Sequence, residues 1–232
     1  MGDIDSYTKL LLHCDGADGS TNFIDSSLSG KSITAVGNAQ IDTAQYKFGG
    51  ASGLFDGNGD YLSVPDSDDW YFGTGDFTID AWARFANANV CHCICAQRKD
   101  DNNYWAFFYE VGIKIINLQQ RVGGSVNIQP ACSFTPNANT WYHIALVRTG
   151  NTFKIFVDGT QIGSDYSNSN SMLNLDSPLY VGTTLISGYP HYFNGWMDEL
   201  RISKGIARWT SNFTPPTRPY TRSQAAFLLN MV

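Results

Sequence analysis

Glutamate is almost missing from this chain: of its 21 acidic residues only Glu110 and Glu199 are Glu, and the rest are Asp. Glu favours helix interiors, whereas Asp favours caps and turns, so the imbalance argues against a helical protein. Charge of either sign is sparse, at 16% of residues, and the net charge of −6 comes with no basic cluster. A nucleic-acid partner is therefore not expected. No apolar run approaches the roughly 20 residues a membrane span needs, so membrane insertion is not expected either. The opening MGDIDSYTKLLLHC carries a short apolar run, well below a secretory core, between acidic flanks. Asp3 and Asp5 would oppose an anionic membrane if Gly2 were acylated. The expectation is synthesis in a cytoplasm. There is no G-x-S-x-G elbow, and His13, His92, His143 and His191 have no carboxylate neighbour in sequence.

What is present suits an all-β fold. Hydrophobic residues make up 43% and aromatics 14%, and there are 22 Gly. At 232 residues the chain has room for one large β domain. The clearest signal is WYHIALVRTGNTFKIFVDG, residues 141–159. Apolar runs at 141–148 and 153–157 flank Thr149-Gly150-Asn151, a hairpin signature, and Asp158-Gly159 adds a second sharp turn into Thr160–Ile162. Trp141, Ile144, Leu146, Ile155 and Val157 read as core. Residues 76–85 alternate Phe77, Ile79, Ala81, Ala83 and Phe85 against Thr78, Asp80, Trp82 and Arg84. Further strands are expected at 8–13, 31–36, 39–41, 51–55, 61–64, 90–97, 104–110, 113–118, 125–129, 178–182 and 196–202. Trp70, Tyr71 and Phe72 are expected to cap one end of the core. Short strands at even spacing, with Gly and Asp turns, predict an antiparallel β-sandwich.

The five Cys are an odd number. Cys91, Cys93 and Cys95 alternate with Val90, His92 and Ile94, so on a regular strand their sulfurs share one face, too far apart for a disulfide. A zinc site from Cys91, His92, Cys93 and Cys95 is conceivable, but His92 points to the other face and zinc spacings are usually C-x2-C. Reduced, buried thiols are the expectation; should a disulfide form, Cys132 is the most plausible partner for one of the triplet.

Five blocks carry a resemblance: LLLHCDGADGSTNFIDSS, KFGGASGLFDGNGDYLSVP, FGTGDFTIDAWARF, WYHIALVRTGNTFKIFVDGTQIG and FNGWMDELRISKGIARWTSNFTPPT. In this order they resemble the laminin-G-like jelly rolls of the concanavalin A-like lectin/glucanase superfamily, over nearly the whole chain. The resemblance implies one jelly-roll domain over residues 1–220, followed by an apolar tail at 221–232. Stand-alone versions look like tailed-bacteriophage proteins, which implies a virion-surface structural or adhesion protein made in the host cytoplasm; an extracellular lectin module is the alternative. Glycanases of this fold carry an E-x-D-x-x-E strand motif that is missing here. Asp198 and Glu199, as neighbours on a regular strand, face opposite surfaces. Asp76 and Asp80 share a face among aromatic and Arg residues. The expectation is a protein without catalysis. Glycan binding needs aromatic faces beside polar groups, and loop 186–194 offers Tyr189, His191 and Tyr192, with Trp82 and Trp105 as alternative platforms. Members of the superfamily often hold a structural Ca²⁺, and the matching positions are Asp15, the carbonyls around Gly50, and Asp198. Otherwise Asp198 pairs with Arg201 or Lys204, or caps a turn. Pro215, Pro216 and Pro219 exclude regular structure near the end. The apolar residues Ala225 to Val232 call for burial, on a neighbouring subunit or virion protein, or back on the sandwich itself.

Overall fold

The computed structural model describes residues 4–222. The first strands are β1 (Thr8–Leu12), β2 (Thr34–Val36), β3 (Gln40–Asp42), β4 (Ser52–Asp56) and β5 (Tyr61–Val64). A single 3₁₀ turn at Asp68–Trp70 leads to β6 (Phe77–Phe85), β7 (His92–Asp100), β8 (Asn103–Glu110) and β9 (Ile115–Val122). Then come β10 (Ser125–Ile128), β11 (Ala131–Ser133), β12 (Trp141–Thr149), β13 (Thr152–Val157) and β14 (Thr160–Ser167). β15 (Leu179–Val181) and β16 (Asn194–Lys204) complete two antiparallel sheets. The first runs β14-β13-β12-β6-β16-β4-β3, with β1 also on β16; the second runs β10-β9-β8-β7-β15-β5-β2, with β11 on β9. This is the expected antiparallel sandwich.

Turn chemistry fixes the central meander. Thr149 pairs with Thr152 across Gly150, whose φ of 57° at the first central position suits a type II′ turn. Asp158 and Gly159 both have positive φ, 50° and 76°, as a type I′ turn requires. Along β6 the alternation works as read: Phe77, Ile79, Ala81, Ala83 and Phe85 all enter the core between the sheets. Trp70 and Phe72 join that core, whereas Tyr71 points outward.

The other face of β6 is buried too, at Thr78 and Asp80 by the C-terminal segment. Residues 205–222 cross the outside of the first sheet, laying Trp209 and Phe213 over Ala145, Val147 and Phe156. The Phe213 N–H donates to the Gly159 carbonyl at 2.8 Å. A Cβ on Gly159 would lie 1.9 Å from the Phe213 carbonyl oxygen, so this turn needs glycine for contact as well as for φ. Under the segment, Asp80 and Arg201 are cross-strand partners and fully buried. Arg201 Nε donates to Asp80 Oδ1 at 3.0 Å, and the Tyr220 hydroxyl donates to Oδ2 at 2.6 Å. The expected apolar tail, Ala225 to Val232, lies outside the described residues.

Two expectations are corrected by bulges. The Cys triplet does not share a face, because the β7–β8 register shifts between Cys93 and Cys95. Cys93 packs outside with Tyr104 and Phe108, Cys95 packs in the main core, and Cys91 precedes the strand. All five Cys are free thiols. Likewise β16 is not regular at Asp198-Glu199: its register against β6 shifts there, Glu199 has φ 52°, and both side chains are buried.

Candidate functional site: a pocket at the sandwich rim

Three connections meet at one rim of the sandwich: β4 to β5, β6 to β7, and β15 to β16. They enclose a cavity of about 360 Å³ lined by Asn87, Cys91, Tyr189, His191, Tyr192 and Asn194, among others. Tyr189 is 67% exposed, an open ring at the mouth. The loop that carries it is tied down. The Tyr189 N–H donates to the Ile186 carbonyl at 3.0 Å, and the Ser187 N–H donates to Asp101 Oδ1 at 3.0 Å. Thr184 Oγ1 accepts from the His191 N–H at 3.2 Å. The Ser187 amide, with Arg98, holds the Asp101 carboxyl down at about 2.

Fully buried behind the cavity lining, His92 has both nitrogens committed. Its Nδ1 accepts from the Asn194 N–H at 3.1 Å, so the ring proton sits on Nε2 and goes to the Asn87 carbonyl at 2.7 Å. Burial pushes its pKa down to about 4, which keeps the ring neutral. These bonds hold the backbone of Asn87 and Asn194; their side-chain amides are placed separately, Asn87 Oδ1 accepting from the Asn89 N–H at 3.0 Å and Asn194 Nδ2 donating to the Asp56 carbonyl. His191 is the contrast. It is only 7% exposed, and neither ring nitrogen has a hydrogen-bond partner. Its ring lies 4.8 Å from Phe108, and Nε2 is 3.6 Å from Glu110 Oε2.

The structure thus brings Tyr189, His191 and Tyr192 to one cavity. Trp105 and Trp82 are not part of it, and neither offers a stacking platform. Trp105 is fully buried between the sheets, against Phe72. Trp82 is 5% exposed, covered by Lys47, whose Nζ lies 3.8 Å from the ring centroid, and by Phe48. Asn87, Asn194 and Cys91 were missed as lining residues, because nothing in sequence places the 87–91 loop beside residue 194.

The residues expected at a metal lie elsewhere, around β16. Asp198 is 1% exposed; its Oδ2 accepts the N–H groups of Lys47 and Phe48 at 2.8 and 3.0 Å. Its Oδ1 is buried without a hydrogen-bond partner. Burial, with the Glu199 and Asp15 charges nearby, raises the Asp198 carboxyl to about 7. Asp15 packs its carboxylate where a Cβ on Gly49 would sit, at 1.9 Å. Gly49 and Gly50 both take positive φ, 64° and 96°. Of the alternatives expected for Asp198, Arg201 is engaged with Asp80 and Lys204 with the Asp68 carbonyl, whereas the turn cap is found, on the Lys47 and Phe48 amides.

Three of the four His face a carboxylate supplied from a distant strand. His13 Nδ1 is 2.6 Å from Glu199, His143 Nε2 is 3.5 Å from Asp80, and His191 meets Glu110 as described. Sequence neighbours could not show this. Among the described residues, no helix is long and apolar enough to cross a membrane.

A comparison with curated protein sequences gives no match. Solved structures do match in fold. The binding domain of Paraclostridial Mosquitocidal Protein 1 is 15% identical with TM-score 0.63, covering 86% of this chain and 49% of that one. The binding domain of botulinum neurotoxin serotype G gives 14% and 0.62, covering 85% and 48%. The binding domain of botulinum neurotoxin DC in complex with SialylT gives 15% and 0.60, covering 88% and 49%. The chain therefore spans about half the length of these relatives. A family model, Laminin_G_3, matches residues 56–208, well over half of the chain. The chain belongs to this family of the concanavalin A-like lectin/glucanases superfamily.

Proposed function

We propose that the chain is a non-catalytic binding module that takes a carbohydrate in the rim cavity. The observation that carries this reading is the exposed Tyr189 ring beside the amides of Asn87 and Asn194, at a cavity of about 360 Å³. A sugar offers an apolar ring face for stacking and hydroxyls for planar amides, and ligand sites have this mix of aromatic surface and a few oriented polar groups. One structural neighbour is a complex with SialylT, and another concerns a toxin whose cell entry depends on two ganglioside molecules. The absence of catalysis is supported by the acids near β16. Asp198 is turned to the Lys47 and Phe48 amides and Glu199 to His13 and the Tyr220 N–H, so they do not oppose each other across a cleft. A glycan array with the parent protein, followed by titration of the best binder, tests the reading. Losing the Tyr189 ring face removes about 1–1.5 kcal/mol, so Tyr189→Ala weakens binding roughly 5- to 12-fold. An array without binders, or equal affinity in the variant, refutes it.

We further propose, on the sequence resemblance to tailed-bacteriophage proteins alone, that such a module sits on a virion surface. Its free thiols are consistent with assembly in a reducing cytoplasm. Finding the protein in purified particles by mass spectrometry is the test; its absence from them favours the stand-alone lectin.

We also propose a structural Ca²⁺ at Asp15 and Asp198, with a carbonyl near Gly50. The unpartnered Asp198 Oδ1 supports it: a buried carboxylate oxygen near the Glu199 and Asp15 charges is costly without a cation. The all-oxygen donors suit a hard ion.

A further inference from the structure

Outside the β16 region, one other cluster of potential ligands among the described residues is drawn together by strand pairing. Cys91 directly precedes β7 and Glu110 ends β8. Since His92 pairs with Tyr109, these two are the next step along the same antiparallel ladder. His191 reaches them from the β15–β16 loop. One ligand atom from each lies within 4.8 Å of the other two. Cys91 Sγ is 3.1 Å from Glu110 Oε1, and His191 Nε2 is 3.6 Å from Glu110 Oε2.

A tetrahedral zinc ion has bonds of about 2.3 Å to sulfur and about 2.0–2.2 Å to nitrogen or oxygen, which sets ligand-to-ligand edges near 3.4–3.6 Å. The two separations to Glu110, one to each carboxylate oxygen, are of that order, and the Cys91–His191 edge is within 4.8 Å, so modest side-chain rotation closes the three on one ion. The cluster also contains an unmet need. His191 is buried with both nitrogens unpartnered, although buried polar atoms are nearly always satisfied. His92, next to Cys91, shows the ordinary case, with both nitrogens bonded.

We propose that Cys91, Glu110 and His191 bind one divalent transition-metal ion of the zinc class, with a fourth coordination position open to the rim cavity. The opening follows from the walls, because Cys91 and His191 line the cavity. A thiolate, an imidazole and a carboxylate select zinc-like ions over calcium or magnesium. Two ligands sit at paired strand ends, and the third is held by Thr184 and by Phe108 beneath its ring. Binding at His191 Nε2 leaves the ring proton on Nδ1. The Cys91 thiol releases its proton to solvent as the metal–sulfur bond forms, so no oxidant or reductant is needed. This set differs from the one suggested by the spacing of Cys91, His92, Cys93 and Cys95. His92 is committed, and Cys93 and Cys95 are buried on opposite sides of the sheet. The ion would share the rim cavity with the carbohydrate, but its test is separate, because Zn²⁺ binding is read without any sugar.

The test uses the full-length, untagged, reduced protein after chelation and dialysis. Zn²⁺ titration by calorimetry should show one tight equivalent, insensitive to millimolar Ca²⁺. Co²⁺ in its place should give a thiolate-to-metal charge-transfer band. Cys91→Ser and His191→Ala should each weaken binding at least ten-fold, and the first should abolish the band. A readout without variants covers the case in which they misfold: bound Zn²⁺ should protect Cys91 of the parent protein from iodoacetamide, as read by peptide mass. Failure to bind a stoichiometric ion, unchanged affinity in folded variants, or alkylation of Cys91 unaffected by Zn²⁺ would each overturn the proposal.

Discussion

Replacing Asp80 with Asn leaves the Arg201 guanidinium buried against a neutral amide. The parent carboxylate accepts from Arg201 Nε at 3.0 Å and from the Tyr220 hydroxyl at 2.6 Å, and both charged groups are fully buried. Burial alone would raise the Asp80 pKa. Arg201, His143 and Tyr220 outweigh it and hold it at about 2. That displacement from the ordinary carboxyl value of 3.8 corresponds to about 2 kcal/mol of stability carried by the ionised form. The folded pKa is the depressed one, so this contribution is complete above about pH 4 and is lost as the pH falls through about 2. Substitution costs more than protonation, because removing one member of a buried pair strands the other, at about 3–5 kcal/mol. In a domain of this size that lowers Tm by roughly 6–20 °C. Tyr220→Phe removes a single hydrogen bond to a charged acceptor, about 1.5–3 kcal/mol. Urea denaturation at pH 7 measures both. The triple variant Asp80→Leu/Arg201→Met/Tyr220→Phe should recover much of the loss, since an apolar replacement leaves no stranded charge. If Asp80→Asn unfolds within 1 kcal/mol of the parent, the C-terminal segment does not seal this network from water, and the reasoning fails.

Calcium at a hundred times its dissociation constant should stabilise the protein by about 2.7 kcal/mol and raise Tm by roughly 5–10 °C. Asp198→Ala should abolish that rise, and no calcium response in the parent protein excludes the site. A thiol assay in denaturant, on protein purified without reductant from a bacterial cytoplasm, should count five thiols per chain; three or fewer means that at least one disulfide forms.

The strands were legible where one face is apolar and the turns are distinctive. The meander from Trp141 onward shows both conditions, with II′ and I′ turns supplied by Gly150 and by Asp158-Gly159. β8 shows where alternation stops being informative. Its Trp105 and Phe107 enter the main core, while Tyr104, Ala106 and Phe108 pack on the outside, so both faces are apolar and the pattern cannot say which is inward. That ambiguity is why Trp105 read as a platform. Trp82 misled for another reason: its side of β6 is the outer one, but Lys47 and Phe48, far away in sequence, cover it. The bulges were also invisible, because an extra residue in a strand is defined by the partner strand's register. The Cys93/Cys95 bulge undoes the shared face expected for the Cys triplet.

The two candidate metal positions show how a site can be concealed from sequence and exposed by accounting for polar atoms. Buried polar atoms normally find partners, so the unsatisfied ones deserve reasons. Some need little: His143 Nε2 is 3.5 Å from Asp80, at the edge of hydrogen-bond range. Asp198 Oδ1 and His191 differ, because each is buried beside further groups of the kind that bind cations. Their chemistries diverge. Around Asp198 the groups free to bind are carboxylate and carbonyl oxygens, hard donors that suit Ca²⁺, since the nearby His13 ring is held by Glu199 and the Cys14 thiol is turned to the Leu12 carbonyl. Around His191 they include a thiol and an imidazole, which Ca²⁺ does not favour and zinc-class ions do. The divergence makes the two readings separable in one protein. Ca²⁺ should still raise Tm in Cys91→Ser, and Zn²⁺ should still titrate one equivalent in Asp198→Ala. If a single substitution removed both responses, one site would be serving both ions, and the assignment of hard and soft donors to separate places would be wrong.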